Sequence, residues 1–273
     1  MNTTLHYIIS SLRGYLPEEE LRETALWTAE AATGLSRTEI LCKDTLNIPN
    51  LQNIIQKIKK QEPLQYIFGS TEWGGLRLQL NRHTLIPRPE TYQLVELVCE
   101  YVSRNYLITS SHSLKLLDIG TGSGCIAIAL KQRLTQLSVE ACDISPQALQ
   151  IAQQNAIDNH TDIRFFQCNI LTDTIPYYDI IVSNPPYVRE SEKDAMSPRV
   201  LDYEPASALF VPDHDPLLFY QRIARFHAAP HIFFEINEAL EQEMQLMLQK
   251  ENYHHTFLYD DMFGKHRYIH AEQ

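Results

Sequence analysis

Leu114-Lys115-Leu116-Leu117-Asp118-Ile119-Gly120-Thr121-Gly122-Ser123-Gly124 sets a short apolar run directly against a glycine-rich turn. The run has the length of a buried strand, and Ile126–Leu130 behind the turn begins a helix. The same rhythm continues down the chain. Val139–Asp143 reads as a strand and Pro146–Asn155 as a helix, and Ile163–Gln167, Tyr178–Ser183 and His231–Ile236 read as further strands. Phe257–Asp260 and Arg267–His270 are candidates to close the sheet. Strands alternating with helices predict an α/β fold with a mainly parallel sheet covered on both faces. Ligands in such folds sit at the carboxyl ends of the strands.

The segment before this sheet has a different texture. Leu5, Ile8, Ile9 and Leu12 recur at helical spacing. Pro17-Glu18-Glu19-Glu20 suits a helix start, because proline fits the first turn and acids sit at the positive end of the dipole. Gly34 is a natural stop for that helix, Ser36-x-x-Glu39 is a capping box, and Asn50 is a candidate cap for a helix carrying Ile54, Ile55 and Ile58. Lys57, Lys59 and Lys60 read as a solvated helix face. From Pro63 the pattern shifts. Tyr66-Ile67-Phe68-Gly69 and Leu76-Arg77-Leu78-Gln79-Leu80, with Trp73-Gly74-Gly75 between them, predict a β-hairpin. The prolines of Ile86-Pro87-Arg88-Pro89-Glu90-Thr91 impose an extended segment, and Pro89 can open the helix carrying Leu94, Val95, Leu97 and Val98. Three parts are therefore expected: a helical domain over 1–62, a hairpin linker over 63–86, and the sheet domain over 87–273.

Composition narrows the function classes. The 273 residues are 44% hydrophobic and 21% charged, a globular balance. Net charge is −11. Residues 1–80 hold 8 Lys/Arg against 9 Asp/Glu (net −1), and the remainder 15 against 25 (net −10). An acidic surface repels phosphate backbones, so direct nucleic-acid binding is not expected. No run approaches the ~20 apolar residues of a membrane span, and Met1–His6 lacks the features of a signal peptide. Cys42, Cys99, Cys125, Cys142 and Cys168 form no CxxC pair. Reduced, mostly buried thiols in a cytoplasmic protein are the expectation.

Three strand ends carry the chemical signals. Gly120, Gly122 and Gly124 allow a tight turn and close approach of a ligand, and the helix behind offers free N–H groups. A purely structural turn is an equal reading of the glycines alone. A dinucleotide fingerprint would place glycine at 125, where Cys125 stands. G-x-G-x-G with Asp118 two residues upstream fits S-adenosylmethionine better. Asp143 ends the next strand, 23 residues after Gly120, where a carboxylate can accept from both ribose hydroxyls. Asp143 or Ser145 capping the helix at Pro146 is the alternative, and beside the glycine turn the ribose role is favoured. Ser183-Asn184-Pro185-Pro186-Tyr187 ends the fourth strand. Its prolines offer carbonyl acceptors without N–H groups, Asn184 adds a side-chain acceptor, and Tyr187 offers a flat face. Such a loop suits a planar amide or an aromatic amine. Two hydrogen bonds accepted from a resonance-stabilised –NH2 group free its lone pair for attack on an electrophilic methyl, and alignment can supply ~7–11 kcal/mol of the barrier. The 11 histidines look scattered, with His254 and His255 read as surface residues, and no metal is expected.

Asn184-Pro185-Pro186-Tyr187, Asp118-x-Gly120-x-Gly122-x-Gly124 and Ile86-Pro87-Arg88-Pro89-Glu90-Thr91 together resemble the HemK/PrmC family. Pro63-Leu64-Gln65-Tyr66-Ile67-x-Gly69, Tyr203-Glu204-Pro205-x-x-Ala208-Leu209 and Asp261-x-x-Gly264-Lys265-x-Arg267 add to the likeness, which runs from about residue 60 to the C-terminus. The family modifies the glutamine of the Gly-Gly-Gln tripeptide in class 1 peptide chain release factors. The resemblance implies a Rossmann-like S-adenosylmethionine-dependent methyltransferase sheet of seven strands. It also implies transfer to the glutamine amide nitrogen, with S-adenosylhomocysteine as product.

In that reading Asp118 and Gly120, Thr121, Gly122, Ser123 and Gly124 line the methionine end of the cofactor. Asp143 holds the ribose, and Asn169 and Ile170 meet the adenine. Asn184, which also borders the cofactor, and Pro185 orient the glutamine amide, with Pro186 beside them and Tyr187 against it. Arg88 and Glu90 lie near the mouth. The N-terminal helices grip the release factor, and a monomer is expected. Two positions depart from the family: Asn169-Ile170 replace the usual acid and aromatic, and Asn237 replaces a glycine after Glu235-Ile236. Rival readings are a glutamine methyltransferase acting on a ribosomal protein, an adenine-amine nucleic-acid methyltransferase using the same loop, and a non-catalytic binding module. The acidic balance counts against the nucleic-acid reading.

Overall fold

A computed structural model describes residues 2–106 and 114–273. Two compact units form: Met1–Ser70 with Ser197–Tyr203, and Thr71–Met196 with Glu204–Gln273.

The first unit is helical. Helix α1 is Thr3–Leu12, α2 Glu18–Thr33, α3 Arg37–Cys42, α4 Leu51–Lys59 and α5 Leu64–Phe68. Leu5, Ile8, Leu12, Leu21, Ala25, Ala29, Ile40, Ile55 and Ile58 bury one shared apolar core. Gly34 ends α2 in the left-handed region, and the Ser36–Glu39 capping box forms in full. Two expectations are corrected here. Asn50 sits at the start of α4 but at φ +55°, and its side chain makes no capping bond. Residues 66–69 are no strand, because α5 continues to Phe68 and Gly69 closes it at φ +69°. Pro63 supplies the helical start that overrides the local strand preference, its carbonyl accepting from the N–H groups of Tyr66 and Ile67. The hairpin lies just beyond: β1 is Ser70–Trp73 and β2 is Leu76–Gln79, turning on Gly74-Gly75.

The second unit is the α/β sheet. Helix α6 is Thr91–Asn105, β3 Lys115–Ile119, α7 Cys125–Arg133, β4 Ser138–Asp143, α8 Pro146–Asp158, β5 Arg164–Gln167 and β6 Ile180–Ser183. A two-residue pair follows, β7 Val188–Arg189 with β8 Phe210–Val211, and the chain between them carries the short helix α9, Pro198–Leu201, which belongs to the first unit. Then come α10 Leu218–Arg225, β9 His231–Glu235, α11 Glu241–Lys250, β10 His255–Asp260 and β11 His266–Glu272. The seven-stranded order is β10-β11-β9-β6-β3-β4-β5, with only β11 running antiparallel to its neighbours.

Successive side chains take opposite faces, as a pleated strand requires. Ile180, Val182 and Phe233 join the core with α6 and α7. Ile181, Ile232 and Phe234 join the core with α10 and α11. Strands buried on both faces explain the near-continuous apolar runs. Chain order reverses beside β3, whose neighbours are β4 and β6, so a crevice is expected at their carboxyl ends. Cys99, Cys125, Cys142 and Cys168 are buried and Cys42 is exposed, all as free thiols. Among the described residues, no helix is long and apolar enough to cross a membrane.

Candidate active site

A cavity of about 270 Å³ opens where the sheet predicts one. Gly120 and Gly122 reach it from the turn after β3, Asp143, Ile144 and Ser145 from the end of β4, and Cys168 to Leu171 from beyond β5. Ser183, Asn184, Pro185 and Pro186 enter from the end of β6. Parts of all three sequence signals therefore share one space, together with Asn169 and Ile170, whereas Thr121, Ser123, Gly124 and Tyr187 are not among its lining residues. Ile119, Cys142, His83, Leu85, Pro205, Ser207, Ala208, Phe210, Phe219 and Ile223 complete the wall.

Local bonds hold each loop. Gly120 and Thr121 donate their N–H groups to the Cys142 carbonyl at 2.9 and 3.0 Å. Gly122 N–H donates to Asp143 Oδ2 at 2.9 Å, and Ser145 N–H to Asp143 Oδ1 at 2.9 Å. Burial pushes the Asp143 carboxyl upward, and these backbone donors oppose the shift. Ser145, not Asp143, caps α8, its Oγ accepting from Ala148 N–H at 3.1 Å. Ser183 Oγ donates to the Ile119 carbonyl at 2.7 Å, tying the ends of β6 and β3. Asn155, fully buried on α8, donates to the Gln79 and Ser123 carbonyls and accepts from Gln79 N–H.

The other sequence-selected residues lie behind the wall. Asp118 is fully buried, and its Oδ2 accepts from Thr121 Oγ1 at 2.6 Å. Burial raises its carboxyl to about 7. Ser123 is buried against α8, and Gly124 leads into α7 at φ +83°. Arg88 pairs with the buried Glu204 at 2.7 Å, and Glu204 Oε2 also accepts from Ile86 N–H at 3.2 Å. The Glu90 carbonyl accepts from Tyr268 OH at 2.7 Å. Arg88 and Glu90 thus anchor the proline-rich segment.

Asn184 Nδ2 donates to Thr91 Oγ1 at 3.3 Å. Thr91 Oγ1 donates to Glu235 Oε2 at 2.7 Å, and Tyr187 OH to Glu235 Oε1 at 3.0 Å. Sequence reasoning missed Thr91 and Glu235 as site residues, although both stood in motifs already singled out. Asn237 also gains an account. Its backbone is extended at φ −79°, which needs no glycine, and its Oδ1 caps the turn at Ala239. Asn169 Oδ1 accepts from Leu171 N–H at 3.1 Å and so shapes its own loop. The histidines are less scattered than expected. His231 and His270 have ring centroids 5.7 Å apart, and His270 stacks on Phe233 with burial holding it near 3, hence neutral. His254 and His255 are exposed.

Comparison with known proteins gives the family and the fold. Residues 103–203 match the Methyltransferase small domain family. The chain is 42% identical to the release factor glutamine methyltransferase of Flavobacterium psychrophilum, over 96% of this chain and 95% of that one. It is 40% identical to the protein of the same name from Bacteroides thetaiotaomicron, over the whole of both chains. It belongs to the release factor glutamine methyltransferase family. The family reached from Ile86–Thr91 and its companion strings is thus the one found. Solved structures resemble this family member at the level of the fold. The hMettl16 catalytic domain in complex with MAT2A 3'UTR hairpin 1 aligns at TM-score 0.58 and 17% identity, over 73% of this chain and 75% of that one. A human methyltransferase 10 domain containing protein aligns at 0.54 and 18%, over 73% and 90%.

Proposed function

We propose that the chain transfers a methyl group from S-adenosylmethionine to the side-chain amide nitrogen of the glutamine in the Gly-Gly-Gln tripeptide of class 1 release factors. The observation that carries this reading is that Asn184, Pro185 and Pro186 line the same cavity as Gly120, Gly122 and Asp143.

The residues present fit the methyl donor. A Cβ built on Gly120 or Gly122 would meet nothing within 4 Å, so the absent side chains leave room beside the turn. Each Asp143 oxygen spends one lone pair on a backbone N–H and keeps another for a ribose hydroxyl. Ile144, Ile170 and Leu171 offer apolar walls for a flat base, with Asn169 beside them. S-adenosylmethionine, when bound there, supplies an electrophilic methyl group on its sulfonium.

The chain's own residues do the rest. Asn184 Oδ1 and the Pro185 carbonyl accept the two N–H groups of the glutamine amide and draw its nitrogen out of resonance. Because Pro185 and Pro186 carry no N–H, nothing in that backbone competes to donate. Tyr187, anchored through its hydroxyl, braces the loop. The helices of the first unit serve to hold the release factor.

The test incubates the protein with labelled S-adenosylmethionine and either a purified release factor, the same factor with its tripeptide glutamine changed to alanine, a ribosomal protein extract, or duplex DNA. Label confined to the glutamine-bearing factor supports the reading, and mass spectrometry of the tryptic peptide places the methyl. Label in the alanine variant, the extract or the DNA overturns it.

A further inference from the structure

We infer that Glu235 is a positioning residue that, acting through Thr91, fixes which end of the Asn184 carboxamide faces the cavity. The inference rests on the function proposed above. It starts from a choice that an asparagine side chain always presents: its oxygen accepts, its nitrogen donates, and the two ends have nearly the same shape. Capture of a substrate –NH2 group needs the oxygen toward the cavity. The reversed amide would point its own N–H groups at those of the substrate.

The network decides the direction. Glu235 closes β9 and is 2% exposed. Burial pushes its carboxyl upward, while the bonds from Thr91 and Tyr187 and the Arg267 charge oppose the shift, and in the ionised form it only accepts. Thr91, at the first turn of α6 and 3% exposed, must therefore spend its single hydroxyl proton on Glu235 Oε2, 2.7 Å away. The Thr91 oxygen can then only accept from Asn184, and Nδ2 stands 3.3 Å away in that role. Oδ1 is left on the opposite side of the carboxamide. The second Glu235 oxygen holds Tyr187 OH at 3.0 Å. One buried carboxylate thus sets the polarity of the residues at both ends of Asn184–Tyr187. A glutamine at 235 keeps the shape but brings an –NH2 group. That group donates to Thr91 or Tyr187, frees the Thr91 proton to turn toward Asn184, and admits the reversed amide.

A residue that merely packs α6 against β9 would lose stability on substitution without altering this polarity. The test therefore combines kinetics with a readout that needs no turnover. Glu235→Gln and Thr91→Val should each lower kcat at least tenfold, with KM for the release factor and Kd for S-adenosylmethionine within about threefold of wild type. Thr91→Ser, which keeps the hydroxyl, should retain kcat within about threefold. The double variant should be no slower than the slower single one, because one chain of bonds is broken once. In selectively labelled protein, the Asn184 side-chain amide protons should exchange slowly in wild type and Thr91→Ser, and rapidly in Glu235→Gln and Thr91→Val.

A Glu235→Gln protein with wild-type kcat and unchanged Asn184 exchange would overturn the inference. So would losses in the two singles that multiply in the double variant, or losses that track a fall in melting temperature. Wild-type protein inert toward the release factor would overturn the functional reading instead, while the exchange measurement still decides the role of Glu235.

Discussion

The Gly122 N–H donates to the Asp143 carboxylate at 2.9 Å, joining the glycine turn after β3 to the end of β4. The bond holds Asp143 in place with one lone pair of that oxygen still unused. Replacing Asp143 by alanine removes both the proposed ribose contacts and this tie. Hydrogen bonds to a charged group contribute about 1.5–3 kcal/mol. Asp143→Ala is expected to weaken S-adenosylmethionine binding by roughly 10- to 100-fold. Isothermal calorimetry measures it, and an unchanged Kd would remove Asp143 from the binding role.

In the proposed function Asn184 serves mainly to orient the substrate amide. Asn184→Ala should reduce kcat at least a hundredfold while S-adenosylmethionine affinity stays within about threefold. A radiolabel-transfer assay beside calorimetry separates the two, and retained turnover would refute the assignment.

Gly122 and Gly124 stand two residues apart and should fail differently. Both have positive φ, +55° and +83°, which strains any side chain by roughly 1 kcal/mol. A methyl group at Gly124 would also lie 3.1 Å from Ala152 Cβ and 3.2 Å from Ile128 Cδ1. Gly124→Ala is therefore expected to lose about 1–3 kcal/mol more in urea unfolding than Gly122→Ala. Gly122→Ala, whose methyl enters open space, should show the larger loss of S-adenosylmethionine affinity. Reversal of that order would mean that the turn contacts the ligand elsewhere.

Asp118 gives the fold a pH signature. Its carboxyl titrates at about 7 in the fold against 3.8 for an ordinary aspartate. Between those values the folded state keeps a proton that the unfolded chain has released, so the contribution of Asp118 to stability falls as pH rises. Asp118→Asn carries no such slope, and any cost of its amide is a constant offset. The stability of wild type relative to Asp118→Asn should therefore drop from about pH 4 to about pH 7 and then level off. Denaturant midpoints across that range measure it, and a flat difference would show that Asp118 is ionised throughout.

The sheet and the Gly120–Asp143 side of the cavity were legible because local pattern fixes them. Doubly buried strands such as Ile180–Ser183 give unbroken apolar runs, and Gly120 and Asp143 sit at strand ends in any such fold. Residues 66–69 misled because strand-favouring residues are overridden by a helical start at Pro63 and the stop at Gly69. The Asn184–Thr91–Glu235–Tyr187 network was invisible for another reason. Thr91 lies 93 residues from Asn184 and 144 from Glu235, and no periodicity links such positions. Arg88 was chosen for its motif, but its pairing with Glu204, 116 residues away, is a product of the fold. Asn237 looked anomalous only while a glycine was assumed to be required, and its extended backbone shows no such need.

Asn155 bonds at once to strand β2 through Gln79 and to the glycine turn through Ser123, from its own place on α8. Three segments far apart in the chain thereby share one buried carboxamide. Local opening of any one strips the others of a partner, so the hairpin edge and the floor of the cavity should breathe together as a single cooperative foldon. A ligand that quiets the turn would then also slow amide exchange in β2, a strand outside the cavity lining.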